Sequence, residues 1–304
     1  MALDKSAETI TVKDPKSGAA IEAARASTSH PIRATFARRA FTLAICKAAR
    51  SKLLRPLFKR HGSIIIVSSK LCIKATHYTR LAEASTMEFV RCNTDIPVPK
   101  VHCAFERKGR GYILMQRLPG NYIAYGWAAR SEASKALLFE QLRAMIAQIR
   151  GLRRLSASRT EVSNVDGGPI MDMRLLDKSL WGPYTTVEGF QSELRRGIAM
   201  EHIKDDTILG LKELISFHAR NAETESVLTH GDLSSFNIMV SGDKITGIVD
   251  WETAGWLPWY WEYVNAWNVN PHNRFWRGEV DKFLEPSEEA KAMDAIRLKY
   301  FGDI

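Results

Sequence analysis

Cysteine is scarce: Cys46, Cys72, Cys92 and Cys103 are the only four among 304 residues. They form neither a CxxC pair nor a metal-ligand spacing, so neither a disulfide framework nor a structural zinc is expected, and a reducing, cytoplasmic setting is. Long apolar runs are missing as well. No stretch approaches the ~20 residues that span a bilayer, and the most apolar ones, Gly62–Val67 and Tyr112–Met115, have strand length. The first thirty residues are polar and hold no apolar core of a secretory signal. There is no aromatic–basic pattern of an RNA-binding motif, so nucleic acid is not an expected partner. Acidic residues are absent over Arg33–His61, which carries nine Arg or Lys.

What is present suits an ordinary globular chain, 45% hydrophobic and 25% charged, long enough to fill one or two lobes. The net charge of +9 suggests affinity for anions, and the excess is uneven. Within residues 33–61, Phe36, Phe41, Leu43, Ile45, Leu53 and Leu57 interleave with the cations. A solvated helix face is the plain reading, and a weak membrane-surface contact through residues 33–61 is the alternative.

Residues 1–30 are aperiodic and rich in Ala, Ser and Thr, which predicts a disordered or loosely attached arm. A basic helical extension follows over 31–61, helical from about Arg33 to Lys59, with Pro56 able to break it at the preceding residue. Residues 62–118 read as a small lobe. Strands Ser63–Val67 and Leu71–Ala75 form a hairpin, Tyr78–Val90 repeats its apolar residues once per turn, and Lys100–Phe105 and Gly111–Gln116 form a second strand pair. Ile96-Pro97-Val98-Pro99 must be extended. Beyond Pro119-Gly120, residues 119–304 read as a larger, mainly helical lobe. Its helices are expected at Glu132 to about Leu155 capped by Ser131, Val187–Met200, Thr207–Asn221, Trp259–Asn268 and Ser287–Tyr300. One hairpin, Phe236–Val240 and Ile245–Asp250, interrupts them. The fold class is therefore α+β.

The chemistry concentrates in His230-Gly231-Asp232-Leu233-Ser234-Ser235-Phe236-Asn237 and in Ile248-Val249-Asp250 after the hairpin. Phosphoryl transfer needs a carboxylate near the attacking hydroxyl and hard oxygen ligands for Mg²⁺ on the nucleotide. Asp232 and Asn237 have the D-x4-N spacing of a kinase catalytic loop, and Asp250 returns a second carboxylate at the end of the hairpin. Taken singly, Asp and Asn more often cap turns; the ordered set on apolar strands points to a site. His230 reads as a buried support for the loop backbone. Lys74 lies in an apolar strand, where a lysine needs a partner or a phosphate; a solvent-facing strand edge is the alternative.

These motifs resemble the aminoglycoside phosphotransferase-like family of small-molecule kinases. Ile96-Pro97-Val98-Pro99-Lys100-Val101 and Trp251-Glu252-Thr253-Ala254-Gly255-Trp256 are similar to its fungal branch, and the resemblance runs from about Gly62 to Asn268. It implies a protein-kinase-like two-lobed fold using ATP and Mg²⁺. It makes Asp232 the catalytic aspartate, Asn237 and Asp250 the Mg²⁺ ligands, and Lys74 the lysine that reaches the α/β-phosphates. Glu83 becomes the glutamate that steers Lys74, with Glu88 on the same helix as the alternative. Tyr112–Gly120 resembles the hinge between lobes, with adenine on the backbone of Gln116 and Leu118 and Met115 behind it.

No G-x-G-x-x-G loop lies between the first strands, so the turn Ser68-Ser69 is expected over the phosphates, offering amides and hydroxyls. Five tryptophans, Trp251, Trp256, Trp259, Trp261 and Trp267, read as an aromatic core or as a wall for an ammonium-bearing acceptor. Glu279, Asp281, Glu285, Glu288 and Glu289 read as an exposed helix face or an attractor of cations. The leading expectation is transfer of the γ-phosphate to a hydroxyl of a small-molecule acceptor. A nucleotide-binding pseudokinase or scaffold is the alternative. A protein kinase fits less well, because Gly231 replaces the arginine of H-R-D and no Ala-Pro-Glu follows Asp250.

Overall fold

The computed structural model describes residues 29–154, 159–175, 178–203, 209–268 and 274–302. The expected arm, residues 1–30, lies almost wholly outside them.

Period-two alternation organises the first part of the chain. Strands β1 (Arg60–His61), β2 (Ile64–Ile66), β3 (Leu71–Lys74), β4 (Val101–Arg107) and β5 (Arg110–Gln116) form an antiparallel sheet in the order β1-β2-β3-β5-β4. Along it Ile65 pairs with Ile73, which pairs with Leu114. These three side chains share one face with Cys103, Phe105 and Tyr112, and helix α1 (Phe36–Ala48) covers that face with Cys46 and Ala49. The other face carries Cys72, Ile113 and Met115 and packs on helix α2 (Leu81–Asn93) and the main core. Because side chains alternate, Lys74 falls on the inner face with Cys72. The tight turn between β4 and β5 uses Lys108 and Gly109 at φ 52° and 66°, the mirror-image turn that matches strand twist.

Helix α1 is shorter than the expected 33–59 segment. Its buried stripe of Thr42 and Cys46 ends at Ala49, and residues 52–57, with no side chain directed to the sheet, pass as exposed turns into a 3₁₀ turn, Arg55–Leu57. Thr35 caps its start by accepting from the Arg38 amide.

Past the sheet, a short strand β6 (Asn121–Tyr122) pairs with β10 (Ile238–Ser241), whose hairpin partner is β11 (Lys244–Ile248). Helix α3 (Glu132–Gly151) starts at Ser131, whose hydroxyl accepts from the Ser134 amide at 3.1 Å. Short strands β7 (Ile170–Met171) and β8 (Leu180–Trp181) pair with each other. Helices α4 (Val187–Leu194) and α5 (Leu211–Asn221) follow, then strand β9 (Val227–Thr229), which pairs with β12 (Gly255–Leu257). Helices α6 (Trp261–Trp267), α7 (Arg274–Val280) and α8 (Glu288–Phe301) complete this larger, mainly helical lobe. The first residues of the helix expected at Thr207 fall outside the described residues.

Of the clustered tryptophans, Trp251, Trp256 and Trp261 are fully buried in the main core, so their aromatic mass is structural. Within the acidic stretch, Glu279 accepts from the Trp127 indole at 3.0 Å and Asp281 from the Tyr263 hydroxyl at 2.9 Å, which fastens α7 to its neighbours.

Candidate active site

Lys74 is brought inward by strand alternation and is 5% exposed. Its ammonium lies 3.0 Å from both Glu83 oxygens, 2.7 Å from Asp250 Oδ1 and 2.8 Å from Glu252 Oε2. Burial opposes its charge, yet the three surrounding carboxylates hold its pKa above the ordinary lysine value. Glu83, completely enclosed, is pushed up to about 7 by burial, against the pull of Lys74. Glu88, five positions along the helix, instead pairs with Arg33 at 2.8 Å and Arg91 at 3.1 Å.

Asp250 reaches Lys74 from an unusual backbone. It sits at φ 65°, ψ 63°, a left-handed conformation that Asp adopts more readily than most residues. The chain turns sharply there out of β11, which aims the carboxylate back at the sheet instead of along the hairpin.

The segment from His230 to Asn237 is fixed from below. Glu262 on α6, 2% exposed, accepts from the His230 amide at 2.6 Å and the Gly231 amide at 3.0 Å. His230 Nε2 lies 3.0 Å from the Val249 carbonyl, and Nδ1 accepts from the Asp232 amide at 3.2 Å. This network assigns a neutral ring with its proton on Nε2, and burial lowers the pKa in the same sense. The Trp276 indole donates to the Leu233 carbonyl at 2.9 Å. Gly231, at φ +80°, has no room for a side chain: a Cβ would stand 2.8 Å from the Thr253 carbonyl oxygen.

Asn237 donates through Nδ2 to the Asp232 carbonyl at 2.8 Å and to its carboxylate at 2.9 Å. That leaves the Asn237 amide oxygen as an acceptor. Burial pushes the Asp232 carboxyl above its usual value, while Arg174 pulls it down. Arg174 grips Asp172 with two bonds of 2.8 and 2.7 Å, donates to the Gly231 carbonyl at 2.6 Å and lies 3.8 Å from Asp232. An arginine that the loop itself lacks thus reaches it from the segment after β7.

A cavity of about 220 Å³ opens beside Lys74, Asn237 and Asp250. Its walls include Ile64, Ile66, Cys72, Met115, Gln116, Leu118, Tyr122, Phe236 and Met239, with His61 and Ser63. Glu83 also contributes, whereas Asp232 stands behind Asn237, one hydrogen bond beyond the wall. Ser68 and Ser69 are not wall residues. The Ser68 hydroxyl accepts the Lys70 and Leu71 amides at 3.2 Å each and closes its own turn. The preceding turn, between β1 and β2, borders the cavity through His61 and Ser63.

Oxygens of Glu83, Asp250 and Glu252 come within 4.8 Å of one another. With all ionised, three carboxylates face one ammonium, and the surplus negative charge suits a divalent cation. Hard oxygen donors of this kind fit Mg²⁺; Asp250, Glu252 and the amide oxygen of Asn237 could hold it. Glu252, Arg174, Asp172 and Glu262 were not singled out by sequence reasoning. Only Glu252 carried a local signal, two residues after Asp250.

Two lobes, a buried lysine among carboxylates and an Asp–Asn loop at the edge of a cavity describe a phosphotransferase of kinase-like architecture. Residues 75–296 match the APH model, a phosphotransferase enzyme family, and the chain belongs to that family. Clavilactone A biosynthesis cluster protein Y of Ampulloclitocybe clavipes is 24% identical over 196 residues, covering 56% of this chain and 48% of that relative. The chain therefore spans about half the length of the curated relative it matches. The crystal structure of aminoglycoside phosphotransferase APH(4)-Ia aligns with a TM-score of 0.55 at 16% identity, over 80% of this chain and 82% of that one. A thermostable mutant of that enzyme, in ternary complex with AMP-PNP and hygromycin B, aligns at 0.54 with the same 16% identity and coverage of 80% and 82%. Likeness at that identity is likeness of fold. Among the described residues no helix is long and apolar enough to cross a membrane.

Proposed function

We propose that the chain moves the γ-phosphate of ATP onto a hydroxyl of a small-molecule acceptor, with Asp232 as the catalytic base. The observation that carries this reading is the direct bond from Asn237 to the Asp232 carboxylate, in a wall that Asn237 shares with Lys74 and Asp250. Adenine would lie against Met115 and the backbone of Gln116 and Leu118, and the phosphates would run toward Lys74. Mg²⁺, when bound, shields phosphate charge; Asn237 and Asp250 would hold it, with Glu252 as a further oxygen. Glu83 keeps the Lys74 ammonium directed into the cleft. Asp232 orients the acceptor hydroxyl and takes its proton. Burial raises its carboxyl above the ordinary aspartate range, which makes it a better base for that purpose. Asn237 and the Arg174 grip on the loop fix its direction.

The test uses purified protein, Mg²⁺–ATP and a panel of sugars, amino alcohols, aminocyclitols and hydroxyamino acids, with phosphorylated product read by mass spectrometry. Asp232→Asn should lower turnover by about 10²–10⁴-fold while retaining the thermal shift produced by Mg²⁺–ATP. Nucleotide binding in the wild type without Asp232-dependent product from any acceptor would replace this reading with a nucleotide-binding scaffold.

A further inference from the structure

We propose that the segment 33–61 seats the protein on an anionic phospholipid surface. The charge distribution is the first ground. The chain has 43 Lys and Arg against 34 Asp and Glu, and this segment holds nine of the cations and no acid. The remaining basic residues therefore equal the 34 acidic ones, and the whole net charge of +9 is carried here. Arg33 pairs with Glu88, but Lys47, Arg50, Lys52, Arg55, Lys59 and Arg60 have no described carboxylate within salt-bridge distance.

The second ground is apolar and independent of charge. Three of the four most exposed large apolar side chains among the described residues lie in this segment: Phe36 at 89%, Leu53 at 84% and Leu57 at 75%. The local structure puts them outside. Helix α1 turns Thr42, Cys46 and Ala49 toward the sheet, which leaves Ala37, Ala40, Phe41 and Ala44 on the open side. The turns after Ala49 and the 3₁₀ turn then present Leu53, Leu54 and Leu57 among Lys52 and Arg55.

A lipid surface satisfies both features together. Leucine and phenylalanine enter the acyl boundary, and the long basic side chains extend to anionic headgroups. Single-stranded nucleic acid would use the charge but rewards stacking platforms, and of Phe36, Leu53 and Leu57 only Phe36 has a π face. A second copy is disfavoured, because two such segments would oppose like charges. The segment leads directly into His61, a wall residue of the cavity, so docking places the cleft beside the lipid–water boundary.

The full-length protein is floated with vesicles of phosphatidylcholine alone and with about one third phosphatidylserine. Binding is expected to the anionic vesicles only, weakening as salt rises. Arg50→Glu with Lys52→Glu should reduce the partition coefficient by about 30-fold or more. Leu53→Ser with Leu57→Ser, which keeps every charge, should reduce it by about 10-fold. These side chains are exposed, and circular dichroism and the melting temperature check that each variant is folded. No binding to anionic vesicles overturns the proposal. So does binding that the leucine pair leaves unchanged, whether or not single-stranded RNA competes for it, because the surface would then be a general polyanion site.

Discussion

Glu262 offers the most direct measurement of how firmly the loop after His230 is held. The side chain is buried, and its two oxygens take the amides of His230 and Gly231 at 2.6 and 3.0 Å. In Glu262→Gln one oxygen can still accept, but the other position becomes an NH₂ that faces a backbone N–H. One charge-assisted bond is lost, at about 1.5–3 kcal/mol, and the survivor becomes an ordinary one, so the total is roughly 2–4 kcal/mol. For a chain of this size that lowers Tm by about 3–6 °C. Glu262→Ala strands both amides and should cost more, roughly 3–6 kcal/mol, a large share of a typical folding stability. Urea unfolding of the two variants beside the wild type checks the order and size. A change below about 0.5 kcal/mol for Glu262→Gln, or an alanine variant no less stable than the glutamine one, refutes the reasoning.

His218 on α5 sits 2.6 Å from Arg195 through Nδ1. Burial, with Arg195 and Arg297 nearby, pushes its pKa down to about 3. An unfolded histidine titrates near 6.5, so between those values the unfolded chain binds the extra proton. This contribution is whole above pH 6.5 and is lost as pH falls below it, with a slope that approaches about 1.4 kcal/mol per pH unit. Wild type and His218→Gln compared by urea unfolding at pH 7 and pH 5 should show the flatter profile in the variant. Arg174→Met removes the fork that holds the Gly231 carbonyl and faces Asp232. Its side chain is 40% exposed, so the protein should stay folded by circular dichroism while turnover falls by roughly 10–100-fold.

The sheet was legible because alternation is a local property. Ile73 and Lys74 point to opposite faces in any strand, so the inward lysine follows from its neighbours. The Asp232–Asn237 pairing was legible for the same reason, since both residues lie within one short segment and the structure joins them by a hydrogen bond. Glu83 and Glu88 could not be separated in that way. Five residues on a helix are about 140° apart, and which of the two directions meets Lys74 depends on how α2 docks. The structure turns Glu83 to Lys74 and Glu88 to Arg33 and Arg91. The turn bordering the cavity escaped notice because β1 is two exposed residues, Arg60 and His61, with no apolar alternation. Arg174 and Glu262 reach the loop from distant parts of the chain, and nothing near either residue in the sequence announces it.

The covering of the sheet by α1 bears on how the protein can be trimmed. The family match begins at residue 75, just after Lys74, yet three of the five strands and their covering helix come before that point. A chain cut there would open β5 as a raw edge and leave Leu114 and Phe105 facing water. Aggregation on expression is the expected behaviour of such a fragment, and soluble truncations should begin upstream of Arg33.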